Sequence, residues 1–181
     1  QLGTAAGGAT QYVDNTAATG TAYEYKVVRT TSSAGTGYGC IASGIQVSMD
    51  DYRGKMVLLV DNTFTTSLAT PITQLINDLR ADGWVVLRSD VSRTASVSSV
   101  RSTIQSYYNA DPTNVRAVFL LGHVPVPYSG QLNPDGHGDH SGAWPADGYY
   151  GEMNGTWTDN SVNTTSAQDT RNRNTPGDGK F

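Results

Sequence analysis

Lys55-Met56-Val57-Leu58-Leu59-Val60-Asp61 is the stretch that decides the fold. It is short, apolar throughout its interior, and does not alternate. A strand with one wet face alternates polar and apolar residues. A continuous apolar run of this length predicts a strand covered on both faces, as inside a parallel sheet. The chain that follows has the pattern of a crossover helix. Thr70 reads as an N-cap and Pro71 as the first helical residue. Ile72, Leu75, Ile76 and Leu79 then recur at i, i+3, i+4 and i+7, one apolar stripe. Asp82-Gly83 reads as the stop, with glycine suited to a left-handed cap.

Working outward, Trp84-Val85-Val86-Leu87 predicts a second strand. Val97, Val100, Ile104 and Tyr107 or Tyr108 mark a second helix, stopped at Asp111-Pro112. Val115 through Leu121 predicts a third strand. Strand, helix, strand, helix, strand at these lengths predicts an α/β fold: a β-α-β-α-β unit with right-handed crossovers and a parallel sheet. Ligands of such sheets bind beyond the carboxyl ends of the strands. Asp61-Asn62-Thr63 and Gly122-His123-Val124-Pro125 emerge there. No glycine-rich loop follows the first strand, which argues against a dinucleotide site. Gly136-x-Gly138 does not lie between a strand and a helix.

Residues 1–50 read differently, as a partial all-β segment ahead of an α/β domain at 51–181. Strand-like segments fall near Thr10–Val13, Thr21–Thr30 and Gly37–Val47. In the middle one Tyr23, Tyr25 and Val27 alternate with Glu24 and Lys26. Gly20-Thr21-Ala22-Tyr23-Glu24-Tyr25-Lys26-Val27 resembles the tyrosine corner and sixth strand of a fibronectin type III domain. In that family a tyrosine hydroxyl bonds back to the preceding loop. A full sandwich has seven strands in about 100 residues. Three or four strands leave an apolar face and open edges. The α/β domain, upstream sequence or a neighbouring copy must cover them. Cys40, in the last of these strands, is expected to be a small buried hydrophobe.

Composition narrows the function classes. Charged residues make up 15%, below the roughly 25% of average soluble proteins, and Gly, Ser, Thr, Ala and Asn fill the difference. Such a surface suits an exported protein, secreted or at the cell surface. The net charge is −4 without a basic run, which excludes nucleic acid as the expected partner. No apolar stretch approaches the roughly 20 residues of a membrane span. One cysteine excludes an internal disulfide and a multi-thiolate zinc site. The chain starts at Gln1 and carries no signal peptide, so a processed or excerpted piece of a longer polypeptide is expected.

Beyond His123 apolar periodicity fades. Asp135, His137, Asp139, His140, Asp147, Asp159 and Asp178 stand among glycines and asparagines. Oxygen ligands on glycine-rich loops suit Ca²⁺, and Asp135, Asp139, Asp147, Asp178, His137 and His140 are the candidate metal ligands. For Asp135-Gly136-His137-Gly138-Asp139-His140 three readings stay open. They are a hydrogen-bonded loop, a Ca²⁺ site on Asp135 and Asp139, and a transition-metal site on His137 and His140. Asn172-x-Asn174-x-x-Gly177-Asp178-Gly179 is a faint calcium-loop pattern. Trp144, Tyr149, Tyr150 and Trp157 either line a sugar or peptide groove or pack this lobe onto the sheet. Asn154-Gly155-Thr156 and Asn163-Thr164-Thr165 are glycosylation sequons.

The α/β unit, with Leu120-Leu121-Gly122-His123-Val124-Pro125 and Trp144-Pro145-Ala146-Asp147-Gly148-Tyr149-Tyr150-Gly151, resembles the amino-terminal subdomain of gingipain-like cysteine peptidases (family C25, caspase-like). Asp147, Tyr150 and Gly151 match an Asp-x-x-Tyr-Gly motif of that family, and His123 stands where the family often has Asp. The resemblance implies a parent that hydrolyses peptide bonds with a Cys/His dyad. The dyad would lie downstream of this chain, so the chain itself has no catalytic residue. The partners implied are the remainder of that polypeptide. Two other functions follow from the residues alone. The open sandwich suggests a structural subunit of an extracellular filament or assembly, pairing with copies of itself. The acidic tail suggests a calcium-dependent binding or adhesion module.

Overall fold

The computed structural model describes residues 1–47, 51–131, 133 and 135–181. The chain divides into two compact units, Gln1–Tyr52 and Arg53–Phe181.

The first unit is built on a hairpin of β1 (Ala22–Thr31) and β2 (Gly35–Gly44), paired antiparallel from Ala22↔Gly44 to Thr31↔Gly35. Period-two alternation puts Tyr23, Tyr25 and Val27 on one face with Ile41. Glu24, Lys26 and Val28 share the other with Cys40 and Tyr38. The Tyr23 hydroxyl accepts the Ala18 N–H at 2.9 Å, and the Tyr25 hydroxyl donates to Asp14 Oδ2 at 2.9 Å. Two expectations are corrected here. Thr10–Val13 forms no strand and is exposed. The chain instead turns at Asp14, whose Oδ1 accepts the Thr16 N–H at 2.8 Å, a local bond that competes with strand pairing. Cys40 is exposed rather than buried, because it shares the Glu24/Lys26 face and no layer of this unit's described residues lies over it.

The second unit belongs to the α/β class. Its elements run β3 (Gly54–Asp61), α1 (Ala69–Ala81), β4 (Trp84–Val91), α2 (Val97–Ala110) and β5 (Val115–Leu121). Both β4 and β5 pair parallel to β3, giving the order β4-β3-β5. Two cores explain the unbroken apolar run of β3. Leu58 and Val60 pack with Ile72 of α1, while Val57 and Leu59 pack with Val100 and Ile104 of α2. Each fully buried side chain of this kind contributes about 1.5–3 kcal/mol, so β3 is the centre of gravity of the unit's stability.

Helix α1 starts two residues earlier than Thr70-Pro71 predicts. Leu68 is the N-cap and makes no side-chain capping bond. The chain enters through a 3-10 turn at Asn62–Phe64, capped by Asp61. Pro71 is therefore the third helical residue, where its missing N–H is still one of the unpaired first-turn donors. The stop is as read: Asp82 is the C-cap and Gly83 takes φ +93°. Helix α2 is capped by Ser96, whose Oγ accepts the Ser99 N–H at 3.2 Å.

Beyond β5 the chain forms a short pair, β6 (Tyr128–Ser129) with β7 (Trp144–Pro145), and a single helical turn, α3 (Gly148–Gly151). No helix among the described residues is long and apolar enough to cross a membrane.

Candidate functional site

The strand order sends the chain in opposite directions from the carboxyl end of the sheet. The chain leaves β3 toward β4 on one side and returns to β5 on the other, so the loops after β3 and β5 diverge. Asp61, the last residue of β3, is fully buried there. Its Oδ1 accepts the Thr63 N–H at 3.0 Å and the Thr63 hydroxyl at 2.8 Å. Its Oδ2 accepts Arg93 Nη2 at 2.6 Å and the His123 N–H at 3.1 Å. Burial pushes the Asp61 carboxyl up. The Thr63 amide, the Arg93 guanidinium, the Thr63 hydroxyl and the His123 amide outweigh it and hold the group well below the usual carboxylate range. A buried, ionised carboxylate thus ties together the turns after β3, β4 and β5.

Gly122 makes that junction possible. It takes φ +87°, and a Cβ on it would stand 2.7 Å from Asp61 Cβ and 2.9 Å from the Phe64 ring. Arg93 also lies over that ring, 5.7 Å from its centroid. His123 takes part through its backbone N–H, while the residue itself is exposed. Arg93 is a member that sequence reasoning missed. The available signal was its position two residues past the end of β4.

A second constellation sits on the loop between β6 and β7. Asp135, His137 and His140 bring one ligand atom each within 4.8 Å of the others. His140 Nδ1 lies 2.6 Å from Asp135 Oδ2, and His137 Nδ1 lies 3.2 Å from the same oxygen. The hydrogen bond with His140 is the largest cause holding the Asp135 carboxyl well below its usual range, and the same bond raises His140. His140 stacks on Trp144 at 5.0 Å. Beside the pair runs a groove of about 370 Å³, lined also by Tyr128, Asp139, Arg171 and Asn172. The Trp144 indole N–H is buried and finds no acceptor among the described residues.

The other expected ligands are not drawn into this group. Asp139 lines the groove outside it. Asp147 precedes α3 and makes no side-chain capping bond. Asp178 accepts the Thr175 N–H at 3.0 Å, the Lys180 N–H at 3.1 Å and Lys180 Nζ at 2.9 Å.

Three of the four tail aromatics pack against other residues. Tyr149 stacks on Phe181 at 4.2 Å and meets Trp157 edge-on at 5.3 Å. Tyr150 is buried, and its hydroxyl donates to the Pro125 carbonyl at 2.7 Å. These rings pack the lobe, and only Trp144 faces the groove. Arg101 of α2 fastens the lobe from the other side, donating to the carbonyls of Tyr149 at 3.0 Å, Glu152 at 2.8 Å and Gly155 at 3.3 Å.

Compared with known protein families, characterised proteins and solved structures, the chain matches none.

Proposed function

We propose that the second unit is the non-catalytic, amino-terminal half of a gingipain-like cysteine-peptidase domain of an exported protein, and that the hairpin is the end of a fibronectin type III-like segment. The observation that carries the reading is the Asp61 junction. A buried carboxylate at the switch point of a parallel sheet, gathering three loops, is the rigid platform on which such a domain would mount chemistry from the rest of its sheet. The motif residues fit a supporting role. Tyr150 is a packing residue that holds the chain after β5 through Pro125. The Tyr23 hydroxyl bonded to the Ala18 amide supports the fibronectin-like reading of the hairpin.

In the proposed parent, a downstream cysteine thiolate attacks the scissile carbonyl carbon. The amine leaves with a proton from a downstream histidine, and water then hydrolyses the acyl-enzyme. The second unit contains no cysteine, since Cys40 belongs to the first. The test is the coding sequence past Phe181, followed by expression of the parent. A His-Gly after an apolar strand and a later cysteine are expected, with casein hydrolysis abolished by replacing that cysteine and unchanged by Cys40→Ser. A reading frame lacking those residues would end the peptidase assignment.

The hairpin favours a second reading, a subunit of an extracellular assembly. Val27, Val28, Tyr38 and Ile41 are each more than half exposed, on both of its faces. Strands with open edges and uncovered apolar faces invite pairing with another copy. Sedimentation velocity of the purified chain over a wide concentration range tests it, and a monomer throughout would exclude it.

A further inference from the structure

The geometry points to a binding site for a zinc-class divalent cation formed by Asp135, His137 and His140. This goes beyond the peptidase reading and does not depend on it. Two of the three donors are imidazole nitrogens, which suit late first-row ions such as Zn²⁺ and fit poorly with Ca²⁺, an oxygen-seeking ion.

Both histidine distances to Asp135 are close to what coordination requires. Ligands at about 2.0–2.1 Å from a tetrahedral ion lie about 3.3 Å from one another. His137 Nδ1 and Asp135 Oδ2 are already 3.2 Å apart, and His140 Nδ1 at 2.6 Å from that oxygen has to open by only a fraction of an ångström.

The loop backbone holds these residues in register before any ion arrives. The Asn133 N–H donates to the His140 carbonyl at 2.8 Å, and the His140 N–H donates to the His137 carbonyl at 3.1 Å. The His137 side chain is 70% exposed and that of His140 37%, so an ion reaches them without any opening of the fold.

Three protein ligands leave one tetrahedral position open, the pattern of a site that exchanges a water or ligand and not of a closed structural one. His140 also lines the groove with Trp144, so the site lies beside the groove. The bound ion fixes the one histidine that stacks on the groove's indole.

The experiment is calorimetric titration of the full chain, prepared without a histidine tag and stripped with chelator, using Zn²⁺ and separately Ca²⁺. Visible spectra of the Co²⁺ form give a second readout. One Zn²⁺ per chain is expected, with His137→Ala and His140→Ala each weakening it by about 10-fold or more. His123→Ala, the remaining histidine, should leave affinity and spectrum unchanged. His123 and His137 are exposed and His140 is half-buried against Trp144, and circular dichroism reports whether the variants remain folded. Zn²⁺ binding that survives both loop variants, binding lost with His123→Ala, or binding of Ca²⁺ alone would each overturn the site.

Discussion

Replacing Gly122 with alanine measures how tightly the carboxyl end of the sheet is built. Two costs combine at this position. The first is the left-handed backbone, φ +87°, which costs a residue with a Cβ about 1–2 kcal/mol. The second is space: the new methyl would meet Asp61 Cβ at 2.7 Å and the Phe64 ring at 2.9 Å, and overpacking of that kind costs about 1–3 kcal/mol. The two together predict a loss of about 2–5 kcal/mol. Gly177 separates the contributions. It has φ +88° with nothing within 4 Å of a Cβ, so Gly177→Ala should show the backbone cost alone. The chain's three tryptophans, Trp84, Trp144 and Trp157, all lie in the second unit, so fluorescence during urea unfolding reports on it selectively. With a slope of about 2 kcal/mol per molar urea, the midpoint should fall by about 0.5–1 M for Gly177→Ala and about 1–2.5 M for Gly122→Ala. Equal midpoints for the two variants would refute the crowding argument and, with it, the description of Gly122 as seated against Asp61 and Phe64.

Acid should destabilise the second unit, because Asp61 and Asp111 have folded-state carboxyls below their ordinary range, Asp111 chiefly through Lys55 at 2.7 Å. Their contribution is complete above the unfolded carboxylate value of about 3.9 and is lost as pH falls through and below it. Urea midpoints from about pH 7 to pH 3 should therefore drop, and Asp61→Asn should flatten the slope. Arg101→Ala leaves three carbonyls without their donor. It should cost about 1–3 kcal/mol and speed amide exchange across residues 148–157 ahead of the sheet; uniform exchange would argue that the lobe is held elsewhere. Cys40 is exposed, so a thiol reagent should label the native protein as completely as the urea-unfolded one. Protection in the native state would mean that something covers the hairpin.

How much of this was legible in the sequence depends on the range of the interactions. The sheet was readable because β3 is covered on both faces, and double burial leaves an unbroken apolar run. The helices were readable from their stripes. The start of α1 carries no local signal because it has no capping side chain of its own, and the turn ahead of it is held by Asp61 instead. Arg93 left only its place just past β4 as a signal, since its partner lies 32 residues earlier. The lobe after β5 was opaque for a related reason. It is ordered by single side chains holding backbone groups, such as Asp159 accepting the Gly177 and Gly179 amides at 2.8 and 2.6 Å, and such bonds carry no period. Of the candidate ligands, Asp135, His137 and His140 were legible as a group because one tight loop contains them. Asp147 and Asp178 shared their chemistry but not their neighbourhood.

The central position of β3 also governs how the protein comes off the ribosome. Its two flanking strands are supplied by later sequence, and the second of them ends roughly 60 residues after Asp61. At about 5–20 residues per second, the segment Met56–Val60 waits about 3–12 s after its own synthesis before both neighbours exist. Through that interval it is a sticky, unshielded ribbon in a growing polypeptide. Translation speed and chaperone access over those 60 codons should therefore affect the yield of soluble protein.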